Sequence, residues 1–140
     1  MPLILPDAVR TVLFADCDRR RPEEACGLLI GRRNADGGVV DHAVPLENIW
    51  PVAAERVRRF SIDPCAQMTA ETHAAAAGLD LLGFYHSHPT AQGIPSAFDL
   101  DRAWPAYYYV IVGYPDLINR ECRAWVLDES GAFEEHEVKP

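Results

Sequence analysis

The chain alternates between two hydrophobic rhythms. After Pro6-Asp7, Val9, Val12, Leu13 and Cys17 recur at three- and four-residue spacing, which predicts one apolar face of a helix running towards Asp18. The run RRRP ends it, because Pro22 biases Arg21 away from helical dihedrals. The rhythm then changes. ACGLLIG (25–31) is a short apolar run bounded by charge and glycine, the pattern of a buried strand. NADGG carries the Asp-Gly hairpin signal, and VVDHAVPLENI (39–49) reads as the returning strand. FSIDP (60–64) predicts a further short strand.

Pro64 suits a first helical turn, and the alanine-rich CAQMTAETHAAAAG behind it predicts a helix ending at Gly78. LDLLGFYHSH (79–88) is apolar and aromatic, hence a central strand. SAFDLDRAW (96–104) predicts a short helix, and YYYVIVGY (107–114) is strongly β-prone. CRAWVLDESGAFEEHEV (122–138) reads as a hairpin turning at Glu129–Gly131. There is no internal repeat, low-complexity tract or linker. These elements predict a single domain over 1–140. Its fold class is α+β or three-layer α/β, with a central mixed β-sheet flanked by helices.

Bulk properties narrow the partners. A chain of 140 residues, 49% hydrophobic and 24% charged, has the size and composition of one globular domain. Its formal net charge of -8 argues against nucleic acid and against an anionic membrane surface. The N-terminus MPLILPDAVR lacks the apolar core of a signal peptide, and no apolar run reaches the ~20 residues of a membrane span. The expectation is a cytoplasmic protein with reduced thiols, in which Cys17, Cys26, Cys65 and Cys122 serve as small buried hydrophobes.

The chemistry concentrates in GFYHSHPTAQGIPSAFDLD (83–101). Residues two apart on a strand share a face, so His86 and His88 project side by side, and Pro89 then ends the strand. Ser96 opens the following helix and Asp99 lies one turn in, so a strand end and a helix start converge. Two imidazoles and one carboxylate leave a fourth tetrahedral corner open, which is the pattern of a catalytic rather than a structural zinc site. Such a site needs a general base that is not a ligand. Glu24, at the mouth of the 25–31 strand, is the candidate; alternation sends Glu23 the other way. Ser96 has two readings that do not exclude each other. It is a helix cap, because S-x-x-acid approaches the capping-box pattern, and it is an oxyanion donor.

These residues resemble a known family. Glu24 in EACGLL, then H86-S-H88, seven residues PTAQGIP, and S96-A-F-D99 match the glutamate and H-S/T-H-x7-S-x-x-D pattern of the JAMM (MPN-domain) zinc metalloproteases. Asn48, FSIDP, GFY, YYYVIVG and AWVLDESGAF extend the likeness to the short bacterial members. The resemblance implies one zinc ion on His86, His88 and Asp99, acid/base work for Glu24 and intermediate stabilisation by Ser96. It also implies a substrate class: the C-terminal Gly-Gly end of a ubiquitin-like sulfur-carrier protein. The insertions of longer relatives that hold a second ubiquitin have little room in this chain.

Two rival functions compete with this reading. A zinc deaminase needs H-x-E and P-C-x-x-C, and HSHP and DPCAQM supply neither. A non-catalytic MPN module that binds a ubiquitin-like partner is the alternative, although such modules usually lack the ligand set. The remaining candidates stay structural. His42, His73 and His136 lack ligand spacing, Cys26 is read as strand packing, and Trp50, Trp104 and Trp125 as core or rim. ERVRRF (55–60) is read as a solvated face, or as a patch that meets an acidic partner.

Overall fold

The computed structural model describes residues 1–116 and 118–140. In chain order its elements are β1 (Leu3–Ile4), α1 (Asp7–Arg20), β2 (Cys26–Asn34), β3 (Gly37–Leu46), a 3-10 turn (Ala53–Glu55), α2 (Pro64–Ala76) and β4 (Asp80–His88). Then come α3 (Ala97–Asp101), β5 (Tyr108–Gly113), β6 (Glu121–Leu127), β7 (Phe133–His136) and β8 (Val138–Lys139). The strands form one mixed sheet ordered β7-β6-β5-β4-β2-β3-β1-β8. β4 and β5 run parallel, while β2 pairs antiparallel with both β3 and β4.

β7 and β8 stand at opposite ends of that order, yet only Glu137 separates them in the chain. The sheet therefore curls until its edges nearly meet, a strong form of the twist that strands favour. Leu3 N–H donates to the Glu137 carbonyl at 2.8 Å, which ties β1 to the single residue linking β7 and β8.

α1 fills the concave side. Val9, Leu13 and Cys17 pack there with Leu29, Val40, Leu82 and Val110. Val12, expected on the same face, is 45% exposed, and Asp16 is buried in its stead. The polar intrusion is satisfied, since Asp16 accepts from the Tyr85 hydroxyl at 2.8 Å and from Arg19 and Arg20. α2 covers the other side, where Ala74 packs with Leu28, Ile30 and Leu81. Helices on both faces of a mixed sheet fulfil the expected layered architecture.

Leu82 and Tyr85 face the same core although they are three positions apart. The pairing Leu29↔Gly83 followed by Ile30↔Leu81 leaves Leu82 unmatched, and this bulge resets the alternation. From Tyr85 onward the strand is regular, so His86 and His88 share the α2 side with Phe84.

Several boundaries differ from the pattern-based expectation. Residues 60–63 form no strand, because Asn48 accepts the Ser61 N–H, the Ser61 carbonyl accepts from Ile49 and the Asp63 carbonyl accepts from Gln67 of α2. Asp63 accepts the Cys65 N–H and starts that helix. β3 stops at Leu46 and α3 at Asp101, both earlier than expected. Cys65 is exposed rather than buried, because it sits on the outer first turn of α2. Cys17 and Cys26 are buried, Cys122 is half-buried, and all four are free thiols. No helix among the described residues is long and apolar enough to cross a membrane.

Candidate metal centre

The end of β4 and the start of α3 bring three side chains together. His86 Nε2 lies 3.2 Å from His88 Nε2 and 3.2 Å from Asp99 Oδ1, and His88 Nε2 lies 3.1 Å from Asp99 Oδ2. Ligand atoms held tetrahedrally about 2.0–2.1 Å from one ion are about 3.3 Å apart. The His86–His88 separation matches that spacing; the two imidazoles meet different oxygens of the Asp99 carboxylate, and one ligand atom from each of the three residues lies within 4.8 Å of the others. The donor set of two imidazoles and a carboxylate suits a small divalent cation.

Each donor is held from behind. His88 Nδ1–H donates to the Gln92 carbonyl at 3.0 Å, which leaves the Nε2 lone pair aimed inward. Phe60 stacks on His86 with ring centroids 4.6 Å apart. Nδ1 of His86 is buried without a hydrogen-bond partner among the described residues. Asp99 Oδ2 accepts the Ser96 N–H at 2.9 Å while Ser96 Oγ accepts the Asp99 N–H at 3.1 Å, a complete capping box. The capping reading of Ser96 is thus fulfilled. The bond uses one oxygen lone pair and leaves the hydroxyl proton free.

Electrostatics follow from burial and proximity. Burial would raise the Asp99 carboxyl, but His86, His88 and the Ser96 N–H overcome it and hold the group well below the usual carboxylate range. Burial pushes His86 down against the pull of Asp99. For His88 burial also pushes down, but the bonds to Asp99 and Gln92 win and raise it.

Glu24 is 5% exposed, two residues before the start of β2. Burial lifts its carboxyl to about 8, with His88 pulling down and Asp99 pushing up. With His88 and Ser96 it lines a cavity of about 190 Å³, so base candidate, ligand and donor candidate face one space. The pairing Cys26↔His86 sets the register. Ser87, between the two histidines, locks it: Ser87 Oγ accepts the Ala25 N–H at 2.8 Å, and Ser87 N–H donates to the Ala25 carbonyl at 3.1 Å. Cys26 lies outside the metal group, its thiol directed at the Leu46 carbonyl at 3.8 Å.

Pattern reading assigned no role to several supports. Asn48 donates to the carbonyls of Glu24 and Arg59 and accepts from the N–H groups of Trp50 and Ser61. Phe60 and the Gln92 carbonyl act on the histidines from segments without periodicity. The only sequence signal for any of them is the place of Asn48 and Phe60 in the resemblance.

Three comparisons bear on this arrangement. The chain is similar to a desampylase of Haloferax volcanii, 42% identical over 91 residues, 64% of this chain and 62% of that protein. It therefore spans less than two thirds of that relative's length. It is similar to a CysO-cysteine peptidase of Mycobacterium tuberculosis, 27% identical over 135 residues, 95% of this chain and 88% of that protein. A solution structure of a Desulfitobacterium hafniense protein superposes with a TM-score of 0.85 at 30% identity, covering 99% of this chain and 91% of the other. The profile of the prokaryotic homologs of the JAB domain matches residues 6–128, the whole span from α1 to the end of β6, and the chain belongs to that family.

Proposed function

We propose that this single-domain protein is a zinc-dependent peptidase. It hydrolyses the amide bond at the C-terminal Gly-Gly end of a ubiquitin-like sulfur-carrier protein, with His86, His88 and Asp99 as ligands. The observation that carries the reading is the convergence of those three donors at 3.1–3.2 Å beside a buried glutamate that is not one of them. The names of the relatives, a desampylase and a CysO-cysteine peptidase, support the substrate class.

Zinc in this donor set supplies a Lewis acid that brings a water's pKa towards ~7 and polarises a carbonyl. The protein's own groups do the rest. Glu24 takes the proton from the attacking water at its carboxylate oxygen. As the water oxygen bonds to the carbonyl carbon and the C–N bond breaks, the same proton passes to the leaving nitrogen. Ser96 Oγ–H donates to the negative charge that develops on the carbonyl oxygen. A Gly-Gly tail has no side chains, so it can lie extended in the narrow approach to these groups.

Incubation with ubiquitin-like carriers bearing C-terminal extensions, read by intact mass with and without a chelator, tests the reading. Release of the extension after Gly-Gly, abolished by the chelator and restored by zinc, is the expected result. No chelator-sensitive release from any such carrier would refute it.

A further inference from the structure

A second recess opens beside the metal group. Phe84, Phe98, Trp104 and Tyr109 line a cavity of about 180 Å³ that His86 and Asp99 also border. Arg102 stands on its wall. The Arg102 guanidinium carbon is 5.2 Å from the Phe98 ring centroid and 5.5 Å from that of Trp50. Arg59 approaches the same two rings at 5.2 and 5.5 Å. Phe98 and Trp50 meet edge to face with centroids 5.4 Å apart. Two guanidinium groups thus gather on one aromatic pair.

Among the described residues, neither guanidinium lies within 4.0 Å of a carboxylate. Two of the nearby acids are committed elsewhere, and Asp101, next to Arg102 in the chain, forms no ion pair within 4.0 Å among the described residues. Glu55 accepts from Trp50 Nε1 at 2.9 Å and pairs with Arg58 at 3.6 Å, and Asp99 holds the two histidines. In a chain of net charge -8 this is a local island of unneutralised positive charge.

The next step rests on the proposed function. Two glycines on the acyl side of the scissile bond have no side chain to place in an aromatic recess. A recess bordered by His86 and Asp99 is therefore left for the amine side. At about 180 Å³ it holds one side chain with its carboxylate, well under the ~300 Å³ of a site for a drug-sized ligand. Guanidinium forks match carboxylates, and aromatic walls take apolar side chains.

We propose that this cavity is the leaving-group subsite and binds a C-terminal amino acid with an apolar side chain. Its α-carboxylate meets Arg102, and Arg59 adds to the local positive potential. A lysine inside a target protein offers no carboxylate at that distance from its ε-nitrogen. The subsite thus favours linear C-terminal adducts of the carrier over isopeptide conjugates.

The test uses two peptides with the same carrier tail ending Gly-Gly-Phe, one with a free carboxylate and one amidated. The acid is expected to exceed the amide at least 10-fold in kcat/KM. That ratio should collapse towards one in Arg102→Gln and fall part-way in Arg59→Gln, with melting temperatures recorded to confirm folding. A binding arm is independent of turnover: tryptophan fluorescence titrated with N-acetylphenylalanine and with its amide should show the same preference and the same loss in Arg102→Gln. Equal binding of acid and amide by the unmodified protein, or a preference that survives Arg102→Gln, overturns the subsite. If Arg102→Gln impairs only the folded carrier, the arginines serve docking and the subsite is likewise refuted. Failure to cut either peptide counts against the proposed function, while the binding arm still decides the subsite.

Discussion

The side-chain amide of Asn48 donates to the backbone carbonyl of Glu24 at 3.1 Å, and the Glu24 N–H donates to the Arg56 carbonyl at 2.8 Å. The buried glutamate is therefore gripped on both backbone groups by the 48–59 loop. Asn48 spends all of its hydrogen-bonding capacity there, with Arg59, Trp50 and Ser61 as its other partners. Asn48→Ala strands these groups at a half-buried place, for a cost of about 1–3 kcal/mol. Thermal unfolding should shift down by several degrees. The fall in kcat should exceed any loss of bound metal, because the ligands stand on β4 and α3 and not on this loop. Unchanged kcat in a folded Asn48→Ala protein would detach the loop from the position of Glu24.

Ligand and base should separate by mutation. Glu24→Gln keeps the shape of the side chain and removes its proton affinity. Metal content by mass spectrometry should stay at one zinc per chain while turnover drops by roughly 10²–10⁴. His88→Ala removes one of three donors, so stoichiometric zinc should be lost with the activity. A chelator should lower the melting temperature of the unmodified protein and leave that of His88→Ala unmoved, because only a site that binds the folded state contributes to its stability. Full zinc occupancy in His88→Ala would place the ion elsewhere.

The parts of this centre that were legible in sequence are those set by local geometry. His86 and His88 share a face because strands have period two, and Ser96 and Asp99 are one helical turn apart. The base was legible only as a residue at a strand mouth, because its approach depends on the long-range pairing Cys26↔His86 and on Ser87 gripping Ala25. Asn48 and Phe60 lie in irregular backbone, where no periodicity advertises a role. The strand expected over 60–64 failed for the same reason: its composition is β-like, but tertiary partners claim its backbone. β1 and β8 are two residues each, too short to carry an alternation. The bulge at Leu82 arises from pairing and leaves no mark in composition.

Cysteine labelling tests the packing. Cys65 is exposed, whereas Cys17 and Cys26 are buried. Burial pushes the Cys26 thiol up to about 12 and that of the half-buried Cys122 to about 11; Cys17 is driven higher still by burial and then by Asp16. A raised thiol pKa favours the neutral form, so at pH 8 the reactive thiolate of Cys26 is on the order of 10⁻⁴ of the total. Iodoacetamide at pH 8 should add one label to the native protein, at Cys65, and four after unfolding. Raising the pH to 9.5 should quicken labelling of Cys122 before that of Cys26. Rapid labelling of Cys26 in the native protein at pH 8 would contradict its burial.

Ser96 offers a way to separate a structural from a chemical role in one side chain. Its oxygen accepts the Asp99 N–H at 3.1 Å, and its proton is uncommitted. Ser96→Ala removes both roles together and would be uninformative. Ser96→Gly is better, because glycine at an N-cap costs only a few tenths of a kcal/mol relative to serine, and the extended backbone here (φ -85, ψ 170) poses it no difficulty. The variant should keep its melting temperature within a few degrees and retain zinc, while kcat falls by roughly 10²–10³, the typical cost of removing one oxyanion donor. A Ser96→Gly protein with stable fold, bound zinc and undiminished kcat would leave Ser96 as a helix cap alone, and the developing negative charge would need another donor.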